Sequence, residues 1–220
     1  MTPTSTAVDR DEVWRAIDAQ RLSLADLLDD LSDDEWLRPS LCQGWTVRDV
    51  TAHLTQQQVG FGRALAMMIS ARGNVNRGVH DGACRLAAST PTTRMIAEIR
   101  GMVGSRRHNA GVTYRETLID ILVHGQDIAL PLGRRHDPPP AAAAIATDRL
   151  LSMRWPPPLP ATRKVAGFRL VATDTPWSAG TGPEVHAPMA AILLVCAGRV
   201  AALPQLTGPG AAGLTARFPA

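Results

Sequence analysis

Aromatic residues are scarce in this 220-residue chain, with five tryptophans, three phenylalanines and one tyrosine making up 4%. Lysine is nearly absent, since Lys164 is the only one among 23 basic residues. Binding of nucleic acid calls for a basic stripe interleaved with stacking rings. Neither occurs, and the single dense basic cluster is Arg106-Arg107-His108, so nucleic acid is not an expected partner. High Ala, Arg, Gly and Pro with almost no Lys points to a GC-rich coding genome. The three cysteines, Cys42, Cys84 and Cys196, are odd in number and far apart with no CxxC pair. That excludes a disulfide framework or zinc ribbon and leaves reduced thiols, at least two packed as small hydrophobes. No apolar run approaches the roughly 20 residues that cross a bilayer. The opening MTPTSTAVDRDE has no basic stretch leading into an apolar one, so a cytoplasmic location without membrane attachment is expected. GxGxxG, P-loop and GxSxG motifs are absent too.

What is present is a globular composition, 45% hydrophobic with a net charge of +3, in a chain long enough to bury a sizeable core. Helical spacing of Val13, Ile17, Leu24, Leu27, Leu28 and Leu31 predicts a first helix capped by Asp9. Thr46 followed by Asp49 approximates a capping box. It opens a second helix with the stripe Val47, Val50, Leu54, Phe61, Leu65 and Met68, and with His53 at the stripe's edge. Glycines and asparagines across residues 70–91 read as a long connection, with at most a short helix near 83–88. A third helix is expected over residues 92–106 and a fourth over 113–130, stopped by Pro131 and Gly133. Pro138-Pro139-Pro140 starts an alanine-rich helix to about Met153. Beyond Trp155 the period changes. Residues 167–173 alternate like a strand, residues 177–186 form a second, and residues 188–200 form a helix ending near Gly198-Arg199. The expected organisation is a helical bundle over residues 1–137, a helix and Pro-rich linker over 138–160, and a small α/β unit over 161–220. The last is too small for its own core and should pack on the bundle.

The chemistry concentrates in residues 118–133, LIDILVHGQDIALPLG. On a helix, Asp120, His124 and Asp127 share one face, while their neighbours suit burial. Buried charge needs compensation, and a cation supplies it. With His53 from a facing helix, two imidazoles and one carboxylate form a ligand set for zinc, iron or nickel. A histidine satisfied by Asp120 alone is the other reading of the same spacing. Asp127 either orients His124 or caps and solvates the helix end, the latter favoured by its position. His80 and Cys84 are four apart in a Gly-rich stretch with no further ligand, and carry no site.

The segments Cys42-Gln-Gly-Trp-Thr-Val-Arg-Asp-Val-Thr-Ala-His53-Leu and Leu122-Val-His124-Gly-Gln-Asp127-Ile-Ala-Leu-Pro-Leu-Gly133 resemble the mycothiol-dependent maleylpyruvate isomerase family. That family belongs to the DinB-like superfamily of metal-binding four-helix bundles. The stretch from Ala172 through Trp177 and Gly182 to Arg199 looks like its small C-terminal domain. The resemblance implies a mainly α fold, a DinB-like four-helix bundle with a small C-terminal α/β appendage. It also implies a zinc bound by His53, Asp120 and His124, and a substrate-binding arginine falling on Arg199. The isomerases typically place glutamate where this chain has Asp120. Glu116 cannot replace it, since eight helical residues put it about 12 Å from His124. The activity implied is metal-dependent isomerisation, conjugation or transfer on a small electrophile, using mycothiol or a similar thiol, by a monomer or homodimer. Non-catalytic ligand binding or regulation on the same fold is the rival expectation.

Overall fold

The computed structural model describes residues 9–60 and 75–218. Helix α1 (Arg10–Asp29) starts where Asp9 accepts a hydrogen bond from the Asp11 amide at 3.0 Å, and it buries Val13, Trp14, Ile17, Leu24 and Leu28. A four-residue helix, α2 (Asp33–Trp36), follows a Ser32/Glu35 capping box. Thr46 and Asp49 form the expected reciprocal box at the start of α3 (Val47–Leu54). This helix closes at Leu54, and the expected stripe positions Phe61, Leu65 and Met68 lie outside the described residues.

The region expected to be a connection is instead helix α4 (Val75–Ser89) among the described residues. Gly78 and Gly82 each cost about 1 kcal/mol against alanine in a helix. Packing of α4 along α3, with Ala83 and Ala87 buried in the common core, outweighs that propensity. His80 and Cys84 therefore stand on a helix and not in a loop. Helix α5 (Thr92–Gly101) buries Met95, Ile96 and Ile99 and ends five residues before the expected 106. The bundle's central member, α6 (Tyr114–Ala129), begins at a Thr113/Glu116 capping box. It ends in a 3-10 turn, Leu130–Leu132, with Gly133 at φ +64. Helix α1 packs on α5 and α6, and α3 packs on α4 and α6.

Helix α7 (Pro140–Ser152) lies against the outer side of α6 and turns its other contacts to the C-terminal region. A short helix, α8 (Pro160–Lys164), leads into a three-stranded sheet. Strand β1 (Arg169–Ala172) is central, antiparallel to β2 (Ser178–Gly180) and parallel to β3 (Glu184–Ala187). The stretch 177–186 is thus two strands, broken because Gly180 and Gly182 take φ of +83 and +117. A Cβ at either would collide with the carbonyl of Phe168 or Gly167. Helix α9 (Met189–Cys196) is buried almost all round and packs on α7. Tied through it, the described buried residues from Val13 to Phe218 form one core. The molecule is mainly α with a small C-terminal sheet, as the sequence led one to expect. Among the described residues no helix is long and apolar enough to cross a membrane.

Candidate metal centre

His53 sits in the last turn of α3 and faces α6 across the bundle. Its Nε2 lies 3.3 Å from Asp120 Oδ1, and His124 Nε2 lies 3.3 Å from the same oxygen. The two imidazole rings meet edge to face with centroids 4.9 Å apart. One ligand atom from each of the three residues falls within 4.8 Å of the others. A tetrahedral ion bound at about 2.0–2.1 Å has ligand atoms about 3.3 Å apart, which matches the two histidine-to-Asp120 separations. Two imidazoles and a carboxylate converging in this way fit a divalent metal, although Asp120 is the shorter acid.

The protons follow from the same geometry. Burial works against ionised Asp120, but the two histidines outweigh it and hold its carboxyl well below the usual range. Burial likewise disfavours charged His124, yet Asp120, Asp127 and Cys42 raise it well above an ordinary histidine. Each partner thus stabilises the other's charge. A metal must displace the imidazolium proton to bind.

Behind His124 the structure departs from expectation. Asp127 is fully buried and does not cap or solvate the helix end. It can be buried because three groups satisfy it. His124 Nδ1 donates to Oδ2 at 2.8 Å and the Cys42 thiol donates to Oδ2 at 3.0 Å. Arg199 donates from Nε to Oδ1 at 3.0 Å and from Nη2 to Oδ2 at 2.6 Å. Burial tends to raise the Asp127 pKa, but His124 and Arg199 drive it far below the ordinary value. With Nδ1 committed to Asp127, neutral His124 presents the Nε2 lone pair to Asp120 and the site.

Local structure explains how each of these groups arrives. Gly198, at φ +88, ends α9 in a Schellman turn, with the Arg199 amide donating to Leu194 O at 2.8 Å and the Gly198 amide to Val195 O at 3.0 Å. That turn aims Arg199 back at α6, where its Nη1 also donates to Ala197 O at 2.7 Å. The Cys42 loop is pinned by the Leu41 amide on Asp127 O at 3.1 Å and by Ser40 Oγ on Trp45 O at 2.9 Å. Trp45 packs against His53, His124 and His80, with centroids 5.3, 6.4 and 5.8 Å away.

Cys42, His124 and Asp127 also come close enough to share an ion. The Arg199 guanidinium already touches both Asp127 and the Cys42 sulfur, the latter at 3.5 Å, so positive charge is supplied there. On the other side of Arg199 lies an open cavity of about 580 Å³, lined in part by Cys42, Trp45 and His80. Sequence reasoning missed Cys42 as part of the centre. It also missed Gln57, whose Nε2 donates to Asp120 Oδ2 at 2.9 Å. The available signal was its position four residues after His53.

Comparison with known proteins gives the family and the fold. The sequence profile for the mycothiol maleylpyruvate isomerase N-terminal domain matches residues 17–129. Among solved structures, a histidine-to-alanine variant of the mycothiol-dependent maleylpyruvate isomerase superposes with a TM-score of 0.58 at 14% identity, covering 93% of this chain and 94% of that one. A second crystal structure of that isomerase gives 0.53 at 14% identity, covering 87% and 90%. No curated protein matches the chain.

Proposed function

The chain belongs to the mycothiol maleylpyruvate isomerase N-terminal domain family, and on that premise we propose that it is a metal-dependent enzyme using a low-molecular-weight thiol of the mycothiol kind. The reaction class is isomerisation, conjugation or transfer on a small electrophile. His53, Asp120 and His124 are the proposed metal ligands, with zinc the ion their donor set suits best. The observation that carries the reading is the convergence of both Nε2 atoms on Asp120 Oδ1 at 3.3 Å.

When bound, the metal supplies Lewis acidity that favours the thiolate form of a thiol. The rest falls to the chain's own residues. His124 holds its tautomer through Asp127, and Arg199 with Cys42 keeps Asp127 ionised in a buried position. Trp45 packs against both histidine rings and helps to hold them in place. The cavity beside Arg199 is of the size of a small-molecule site, which commonly spans about 300–1,000 Å³, and is the proposed place for the substrate. Arg199, the residue that the family resemblance assigns to substrate binding, reaches this cavity while its donors hold Asp127 and Ala197. Its proposed contribution is positive charge at the cavity wall.

The test is turnover of small electrophiles by the zinc-loaded chain, with and without added thiol. Conversion that needs both metal and thiol supports the proposal. Metal binding with no thiol-dependent conversion of any electrophile overturns the enzymatic reading and leaves ligand binding.

A further inference from the structure

Arg21 projects from α1 into the bundle and is completely buried. Its Nη1 donates to Met102 O at 2.9 Å, and its Nη2 donates to Gln57 Oε1 at 3.2 Å. Asp18 lies 3.6 Å from Nη1, and is itself held by Arg106 at 3.0 Å. Gln57 is 2% exposed, and its other amide atom, Nε2, donates to Asp120 Oδ2. A guanidinium has only donors, so the amide atom facing Arg21 has to be the oxygen. The NH2 group is thereby fixed toward Asp120.

We propose that Arg21 and Gln57 form a buried relay that positions Asp120 for metal binding, with Gln57 holding Oδ2 so that Oδ1 faces both histidines. This rests on the metal site proposed above and deepens it. A carboxylate on a short side chain reaches its target only in a narrow range of orientations. Holding one oxygen with an amide whose own orientation is locked confines the other to the ligand position. Groups that orient metal ligands in this way typically contribute 10–100-fold in affinity. Neither relay residue touches the proposed ligand atom Oδ1, so both are positioning residues.

The test is zinc affinity, measured by competition with a chelator on metal-free protein. Three variants are compared with the wild type: Gln57→Met, Arg21→Met, and the two combined. The single changes each leave a buried group without its partner and risk misfolding. The double variant removes the Arg21–Gln57 donor and acceptor together, leaves Met102 O and Asp120 Oδ2 short of one hydrogen bond each, and lets Asp18 keep Arg106, so it is the variant designed to stay folded. Cooperative melting of the metal-free protein checks that it does.

The relay predicts zinc binding weakened about 10–100-fold in the double variant. Where the single variants fold, each should weaken binding, and their effects should not add. A changed absorption envelope of the cobalt-loaded double variant is expected as well, because ligand orientation is what the relay sets. Wild-type affinity in a folded double variant overturns the relay and leaves the metal site standing. Absence of zinc binding by the wild type overturns both, and the two failures are thus told apart.

Discussion

Arg199 closes on Asp127 with two hydrogen bonds, Nε to Oδ1 at 3.0 Å and Nη2 to Oδ2 at 2.6 Å. The pair ties the turn after α9 to the helix that carries His124. Asp127 has no access to water, and among the described residues Arg199 and His124 are the charged groups that pair with it.

Replacing Arg199 by methionine leaves that carboxylate with a single charged partner in a dry position. Breaking a buried pair from one side costs about 3–5 kcal/mol, and urea unfolding should show a loss of that order. Arg199→Lys should recover only part, because a lysine cannot reproduce the two-pronged contact. Full stability in Arg199→Met would mean that His124 and Cys42 suffice.

Gly125, between His124 and Gln126, is buried on the face of α6 turned toward His136. A Cβ there would stand 2.5 Å from His136 Nε2 and 2.6 Å from its Cδ2. Alanine ordinarily improves a helix interior by up to about 1 kcal/mol. Here the ring is itself confined, 3% exposed and hydrogen-bonded through Nδ1 to Ser23 Oγ at 3.1 Å. Overpacking should win, and Gly125→Ala should destabilise the chain by about 1–3 kcal/mol. A raised melting temperature would show that the His136 loop gives way freely.

His136 also sets a pH dependence. Burial lowers its pKa below the ordinary 6.5, with nearby Asp137 only partly opposing the shift. The unfolded chain therefore takes up a proton near pH 6.5 while the folded one does not. Stability from this group is complete above about pH 6.5. It declines as pH falls toward the folded pKa, with a limiting slope of about 1.4 kcal/mol per unit. Denaturant titrations from pH 7.5 to 5 should show this decline in the wild type and a shallower one in His136→Gln. Identical slopes in both would remove His136 as the cause.

Much of the architecture was legible in the chain because it rests on local signals. The Thr46/Asp49 box, the apolar spacing of α1 and α6 and the Pro131/Gly133 stop all operate within a few residues. Helix α4 was missed because Gly78 and Gly82 argue locally for a loop, and only contact with α3 reverses that. The split of residues 177–186 into β2 and β3 depends on backbone approach to Gly180 and Gly182, which spacing does not record.

The centre divides the same way. Asp120 and His124 share a helical face by simple periodicity, His53 was legible as a histidine on a facing helix, and the resemblance added the assignment of all three to zinc. Asp127 was misjudged because acids near a helix C-terminus usually face water. What buries it comes from 72 residues away in Arg199 and 85 away in Cys42. Gln57 showed only its spacing four residues after His53 and Arg21 left no pattern, since their roles exist only once α1, the end of α3 and α6 are assembled.

The most direct test of the central claim is elemental analysis of protein purified without an affinity tag, beside a His53→Ala, His124→Ala double variant. The account predicts close to one zinc or other divalent metal per wild-type chain, lost from a double variant that still folds. Absence of metal from both, even after reconstitution with zinc, would contradict it.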